Sequence, residues 1–217
     1  DHPGGSNGGS VVKIALIGGT GSFGLALAVR LREAGYEVVI GSRDAERARA
    51  AANELGVEGA TNEDAACGAD VVVLTTKADG AVETARSLRA AIGTTPVLSV
   101  AAELSFTKHG VLPTVESTSI AQRIQDVVDG PVVAGLHSLA ASNLGGEDAP
   151  DEDTLVCGDD AEAKAIVLEL AGRVTSGRAI DAGPLASARA LEGMTAVIVN
   201  VNKRYKAHAG LRITGVH

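Results

Sequence analysis

The sequence predicts an α/β protein built on a doubly wound parallel sheet of the Rossmann type, with a smaller C-terminal α/β part. Three observations predict it. Short, nearly all-apolar runs rich in Val and Ile, at 11–17, 38–40, 71–74, 97–100 and 132–134, have the length and composition of strands buried on both faces. Between them lie Ala/Leu/Glu/Arg segments with helical spacing at 23–33, 44–55, 79–91 and 117–128. The first strand then breaks on "GGTGSFG", where Gly19, Gly21 and Gly24 make a GxGxxG pattern at a strand-to-helix junction.

The elements follow in order. Residues 1–10, DHPGGSNGGS, lack the basic start and apolar centre of a leader peptide and are expected to be a disordered tail or an artificial extension. Residues 11–135 form the expected dinucleotide-binding domain. In its opening turn Gly19 permits the tight bend, Gly21 lets a pyrophosphate approach the backbone, and Gly24 lets the helix lie close to the strand. Thr20, Ser22 and Phe23 fill the turn between them, and free N–H groups at the helix start face the anion.

The end of the second strand selects the dinucleotide. A site for NAD usually carries Asp or Glu there, accepting from the ribose 2′-hydroxyl. This chain reads "VVIGSRDAER": Ser42 and Arg43 stand where the acid would be, and Arg47 lies one helical turn on. A hydroxyl and two guanidinium groups suit a 2′-phosphate, so the expected cofactor is NADP(H). The competing reading makes both arginines solvated partners of Asp44 and Glu46. Asp44 itself stands at the helix start as an N-cap.

After Gly135 the rhythm changes, which marks residues 136–217 as the smaller C-terminal part. Residues 136–153 are polar and Gly/Asp-rich, a long loop with one helical turn at most. A strand at 154–157 leads to a helix at 160–173, with Asp159, Asp160 and Glu162 at its start as the helix dipole favours. A short strand at 178–181 and "AGPL" precede a last helix at 186–206. Leu191, Met194, Val197, Ile198 and Val201 form its apolar face, which suits a homodimer contact or a buried core helix equally.

Composition excludes several functions. Net charge is −8 and no Lys/Arg run forms a basic stripe, so nucleic acid is not an expected partner. No apolar run reaches membrane-spanning length. With aromatics at 2% and no Trp, aliphatic side chains must build the core. Cys67 and Cys157 have no metal-ligand spacing and read as small buried hydrophobes of a reducing, cytoplasmic protein. Neither GxSxG nor HExxH occurs, so neither a hydrolase nucleophile nor a catalytic metal is expected. Among five histidines, His137 alone follows a buried strand at the carboxyl edge of the sheet, where open α/β sheets place ligands.

Beyond the common Rossmann opening, the chain carries "TNEDAA" at 61–66, "GLHSLAA" at 135–141, "VCGDD" at 156–160 and "DAGPL" at 181–185, followed by Ser187, Arg189, Glu192, Thr195 and Asn200. In these blocks it resembles the NADPH-dependent F420 reductases over nearly its whole length after residue 11. The resemblance implies that Thr20, Ser42, Arg43 and Arg47 hold the 2′-phosphate. It implies direct hydride transfer between C4 of the nicotinamide and C5 of the deazaflavin coenzyme F420, the protein stacking the two rings and excluding water. Thr75, Thr76, Ala78 and Val82 are then expected at the nicotinamide end, and Ala141 is expected as a cofactor-binding residue of the "LHSLAA" segment against which F420 lies. His137, Ser138 and Leu139 are expected against F420, with His137 either assisting the chemistry or positioning its loop. Lys77, Lys108 and His109 are candidates for the acidic tail of F420. The chain differs from the family's usual pattern at Thr76–Lys77–Ala78, in "AAELSFTKHGVLP" and at Ala140. Two other readings stay open on the residues: an NADP-dependent reductase of a small imine or ketone, with His137, Lys77 or Tyr205 as proton donor, and a non-enzymatic NADP(H) sensor.

Overall fold

A computed structural model describes residues 11–216; the N-terminal tail expected at 1–10 lies outside the described residues. In chain order its elements are β1 (Lys13–Ile17), α1 (Ser22–Glu33), β2 (Glu37–Ser42), α2 (Ala45–Leu55), β3 (Glu58–Thr61), α3 (Asn62–Ala66), β4 (Val71–Leu74), α4 (Ala78–Ser87) and α5 (Arg89–Ile92). Then come β5 (Val97–Ser99), β6 (Leu104–Thr107), β7 (Gly110–Pro113), α6 (Ile120–Gln125), β8 (Val132–Gly135), α7 (Ala141–Leu144), β9 (Thr154–Gly158), α8 (Ala161–Val174), β10 (Ala179–Asp181) and α9 (Ala188–Tyr205).

Eight strands make one sheet in the order β10-β9-β8-β5-β4-β1-β2-β3. All neighbours run parallel except β8 and β9, which pair antiparallel. Each central strand divides its side chains between two cores, because successive residues point to opposite faces. Ile14 and Leu16 face one side with α1 and α8, while Ala15 and Ile17 face the other with α4, α6 and α9. Val71 and Val73 divide from Val72 and Leu74 in the same way. Each fully buried Ile or Leu contributes roughly 1.5–3 kcal/mol, and these aliphatic residues make most of the core, with Phe23 and Tyr36 packed against its edge. Phe106 and Tyr205 stand exposed on the surface.

The expected helix at 79–91 divides into α4 and α5 at Leu88, whose ψ of 5° leaves the helical range. Three elements were not legible: β3, the short α3, and the β6–β7 hairpin in "LSFTKHGVLP". Strand β3 reads EGAT, a four-residue edge strand containing Gly and lacking an apolar run. Cys157 is buried as expected, but Cys67 is exposed, because it follows the last residue of α3 at a turn and not a core position.

Candidate functional site: a dinucleotide cleft and its neighbour

The carboxyl ends of β1, β2 and β4 meet around a cleft of about 640 Å³. Its floor is the glycine turn. Gly18 adopts φ +71°, and a Cβ there would meet Thr76 Cγ2 at 2.5 Å. A Cβ on Gly24 would lie 2.6 Å from both Cα and the carbonyl oxygen of Gly19, so α1 is seated directly against the turn. At Gly21, by contrast, a Cβ would meet nothing within 4 Å, which leaves open space at the start of α1. Room at the middle glycine and crowding at the outer ones is the arrangement a pyrophosphate over a helix N-terminus requires.

Sequence reasoning missed Asn62. Its Oδ1 accepts the Gly18 N–H at 3.1 Å, so the first residue of α3 braces the glycine turn from β3. The block "TNEDAA" holds the signal: Thr61 caps α3 through the Asp64 N–H, which fixes where Asn62 points.

Thr20, Ser42, Arg43 and Arg47 all line the cleft. Ser42 is buried and its Oγ accepts the Asp44 N–H at 3.2 Å. Asp44 caps α2 by accepting from the N–H groups of Glu46 and Arg47, and Glu46 pairs with Arg49. Among the described residues neither Arg43 nor Arg47 has a carboxylate partner, so both guanidinium groups face the cleft side of β2 and α2 available to an anion. Thr75 is committed to β1, its N–H and hydroxyl both donating to the Ile17 carbonyl. Thr76 is not: its buried hydroxyl has no partner. Ser22 and Phe23 start α1 beside the turn. Val82 packs against the core under α4, and Ala141 begins α7, away from this cleft.

A second cleft, of about 540 Å³, adjoins the first and shares Thr76, Lys77 and Asp79 with it. Its other walls are Ala78, Ala101, Ala102, Glu103, Leu104 and Phe106, from α4, the end of β5 and the hairpin. These walls are mostly small or apolar.

His137 follows the end of β8 beside the Ala101 backbone and, like Ser138 and Leu139, lines neither of these two clefts. Leu136 before it takes φ +66°, a costly conformation for a branched side chain, and Leu139 N–H closes the turn onto the Leu136 carbonyl. Neither imidazole nitrogen has a hydrogen bond of full geometry; the Ala101 backbone is the polar neighbour that partly offsets the effect of burial. Burial pushes the ring pKa down to about 4. His137 is therefore neutral at pH 7 and holds no acidic proton.

That burial has a measurable consequence. Between pH 6.5 and about 4 the unfolded chain binds a proton at His137 that the folded chain refuses, so stability falls with pH across that window. The loss is about 3 kcal/mol at most. Melting temperatures of the wild type and of His137→Gln between pH 7 and 4.5 test it: the variant's curve should be flatter, and parallel curves would mean a solvated ring.

Ser138 and His137 also line a void of about 10 Å³, closed by Leu155, Leu191, Met194 and Leu211. The segment expected against F420 thus faces a water-sized space on its own side, and ring-sized space lies on the Ala101 side. The C-terminal tail makes the seal. Asp153 binds Arg178 and accepts the Ile213 N–H, while its own N–H donates to the Leu211 carbonyl. The Arg178 guanidinium holds Asp153 well below the usual carboxylate range.

Helix α9 ties these parts together. Glu192 is buried and accepts from the Ile120 and Ala121 N–H groups at the start of α6, both at 3.1 Å. Thr195 donates to the His137 carbonyl at 2.9 Å, Asn200 exchanges two hydrogen bonds with the Val111 backbone, and Arg189 donates to the carbonyls of Thr114 and Glu116. Along α9, Leu191 and Ile198 are buried, whereas Val197 is 55% exposed. Among the described residues no group of side chains is arranged to hold a metal ion, and no helix is long and apolar enough to cross a membrane.

Residues 13–103 match the family model described as NADP oxidoreductase coenzyme F420-dependent. The F420-dependent NADP reductase of Methanothermobacter thermautotrophicus is 38% identical over 95% of this chain and 96% of its own length. That of Methanocaldococcus jannaschii is 35% identical over 94% and 99%. A crystal structure described as an F420-dependent NADP-reductase, from an Arthrobacter species, superposes with a TM-score of 0.81 at 29% identity, covering 94% of this chain and 99% of that one. With the glycine turn, the acid-free end of β2 and similarity along the full length, the chain belongs to the F420-dependent NADP reductase family.

Proposed function

We propose that this chain catalyses direct, reversible hydride transfer between NADPH and F420, working in the cytoplasm as a homodimer. Two contiguous clefts carry the reading. One has unpaired guanidinium groups and open backbone for phosphates; the other has small, mostly apolar walls for stacked rings. In this reading Gly19, Gly21 and Gly24 with Thr20, Ser22 and Phe23 take the pyrophosphate, and Ser42, Arg43 and Arg47 take the 2′-phosphate. The orphaned Thr76 hydroxyl meets the nicotinamide end, and Thr75 fixes the strand end beneath it.

When both are bound, hydride passes between C4 of the nicotinamide and C5 of the deazaflavin, and reduction of F420 also takes up a proton. The residues then have positioning to do. Ala101 and Ala102 give the rings a wall of small side chains, and the neutral His137 ring sits beside the Ala101 backbone while Thr195 holds the His137 backbone carbonyl. The proton comes from solvent, since His137 has none to give at pH 7. That same deficit disfavours an imine or ketone reductase using His137 as acid, and Tyr205, 74% exposed, stands outside both clefts. The exposed part of α9 around Val197 supplies an apolar contact for the second subunit.

The test is to mix the protein with NADPH and F420 and follow the deazaflavin's visible absorbance. Bleaching with NADPH, and much slower bleaching with NADH, is expected. Tight NADPH binding with no bleaching would remove F420 as the second substrate.

A further inference from the structure

A third concavity, of about 630 Å³, lies between the hairpin tip and the C-terminal turns of α9. Lys108 and His109 line it from the hairpin, and Lys203 and Arg204 from the helix. All four are exposed, and among the described residues none has a carboxylate partner. In a chain of net charge −8 this is a local reversal of sign. A helix C-terminus carries about half a negative charge, which one cation satisfies. Three permanent positive charges facing one hollow exceed that need.

The hollow is also built. Asn200 clamps the Val111 backbone by two hydrogen bonds, and Arg189 holds the chain beyond β7, so hairpin and helix keep a fixed spacing. It connects to the ring-sized cleft through Phe106, which lines that cleft and carries the Lys203 ammonium 5.5 Å from its ring centre. Lys203 thus stands at both, over the Phe106 ring of the ring-sized cleft and in the lining it shares with Lys108 and Arg204.

We propose that this groove binds the oligo-γ-glutamate tail of F420, so that tail length sets the enzyme's affinity for its second substrate. The inference rests on F420 being that substrate. A row of carboxylates spaced along a flexible chain suits lysines and an arginine distributed along a groove, and local positive potential offsets the repulsion of an acidic protein for an anionic ligand.

The measurement is the ratio of KM values for a deazaflavin riboside lacking phosphate and glutamates and for F420 with several glutamates. In the wild type the tailed form has the lower KM, and its advantage shrinks as salt rises. The double variant Lys108→Gln, Arg204→Gln should raise KM for the tailed form about three- to tenfold and move the ratio toward one. An unchanged ratio, including equal losses on both substrates, overturns the proposal. So does a change in sedimentation without a change in ratio, which would assign the groove to self-association. If the wild type reduces neither deazaflavin, the proposed activity has failed and not the groove. Titration with tri-γ-glutamate, read by amide resonances of residues 107–110 and 200–205, then decides: saturable shifts lost in the double variant support the groove, and none up to millimolar peptide overturn it.

Discussion

Arg43→Ala should weaken NADPH binding ten- to a hundredfold and leave NADH binding nearly unchanged. The reason lies in what surrounds the guanidinium. Asp44 is spent on capping α2 and Glu46 on Arg49, so the cleft presents Arg43 without a competing carboxylate. A hydrogen bond to a charged group contributes roughly 1.5–3 kcal/mol, which is the predicted factor. NADH lacks the 2′-phosphate and makes no such bond. Calorimetric titration of both nucleotides checks this, and equal losses would place the 2′-phosphate elsewhere.

The glycine turn should separate folding from binding. Gly24→Ala drives a methyl to 2.6 Å from the Gly19 backbone, which cannot rotate away as a side chain would. The helix must lift off the turn, at about 1–3 kcal/mol of stability, and NADPH affinity falls with it. Gly21→Ala places its methyl in open space, so its melting temperature should match the wild type. Its NADPH affinity should fall severalfold or more, because that space is where the pyrophosphate approaches. Thermal melts beside binding isotherms distinguish the two; a destabilised Gly21→Ala with intact binding would reverse the assignment.

Where a backbone rule governs the arrangement, the sequence is enough to show which residues the fold brings together. Glycines at fixed offsets after an aliphatic strand have few structural uses, and Ser42 and Arg43 occupy a position whose neighbours are set by the register of β2 against β1, Ile17 opposite Gly41. The second half of the site depends on tertiary contacts that leave no periodic trace. Asn62 reaches Gly18 across 44 positions, and Thr195 reaches His137 across 58. The hairpin was invisible because LSFT and GVLP are short and half-exposed, with neither an apolar run nor a two-residue Gly turn between them. His137 was singled out by its place after a buried strand, but its protonation state depends on desolvation by residues far away in sequence.

The antiparallel pairing of β8 with β9 bears on how this protein could be shortened. The residues that line the first cleft end at Thr84, so a chain ended at Gly135 would keep every one of them. It would also strip one side of β8, whose four residues are all buried, and leave a bare, uncharged hydrogen-bonding edge. Such an edge recruits other chains. A minimal NADP-binding fragment should therefore be cut with β9 attached, or be given charged residues along β8.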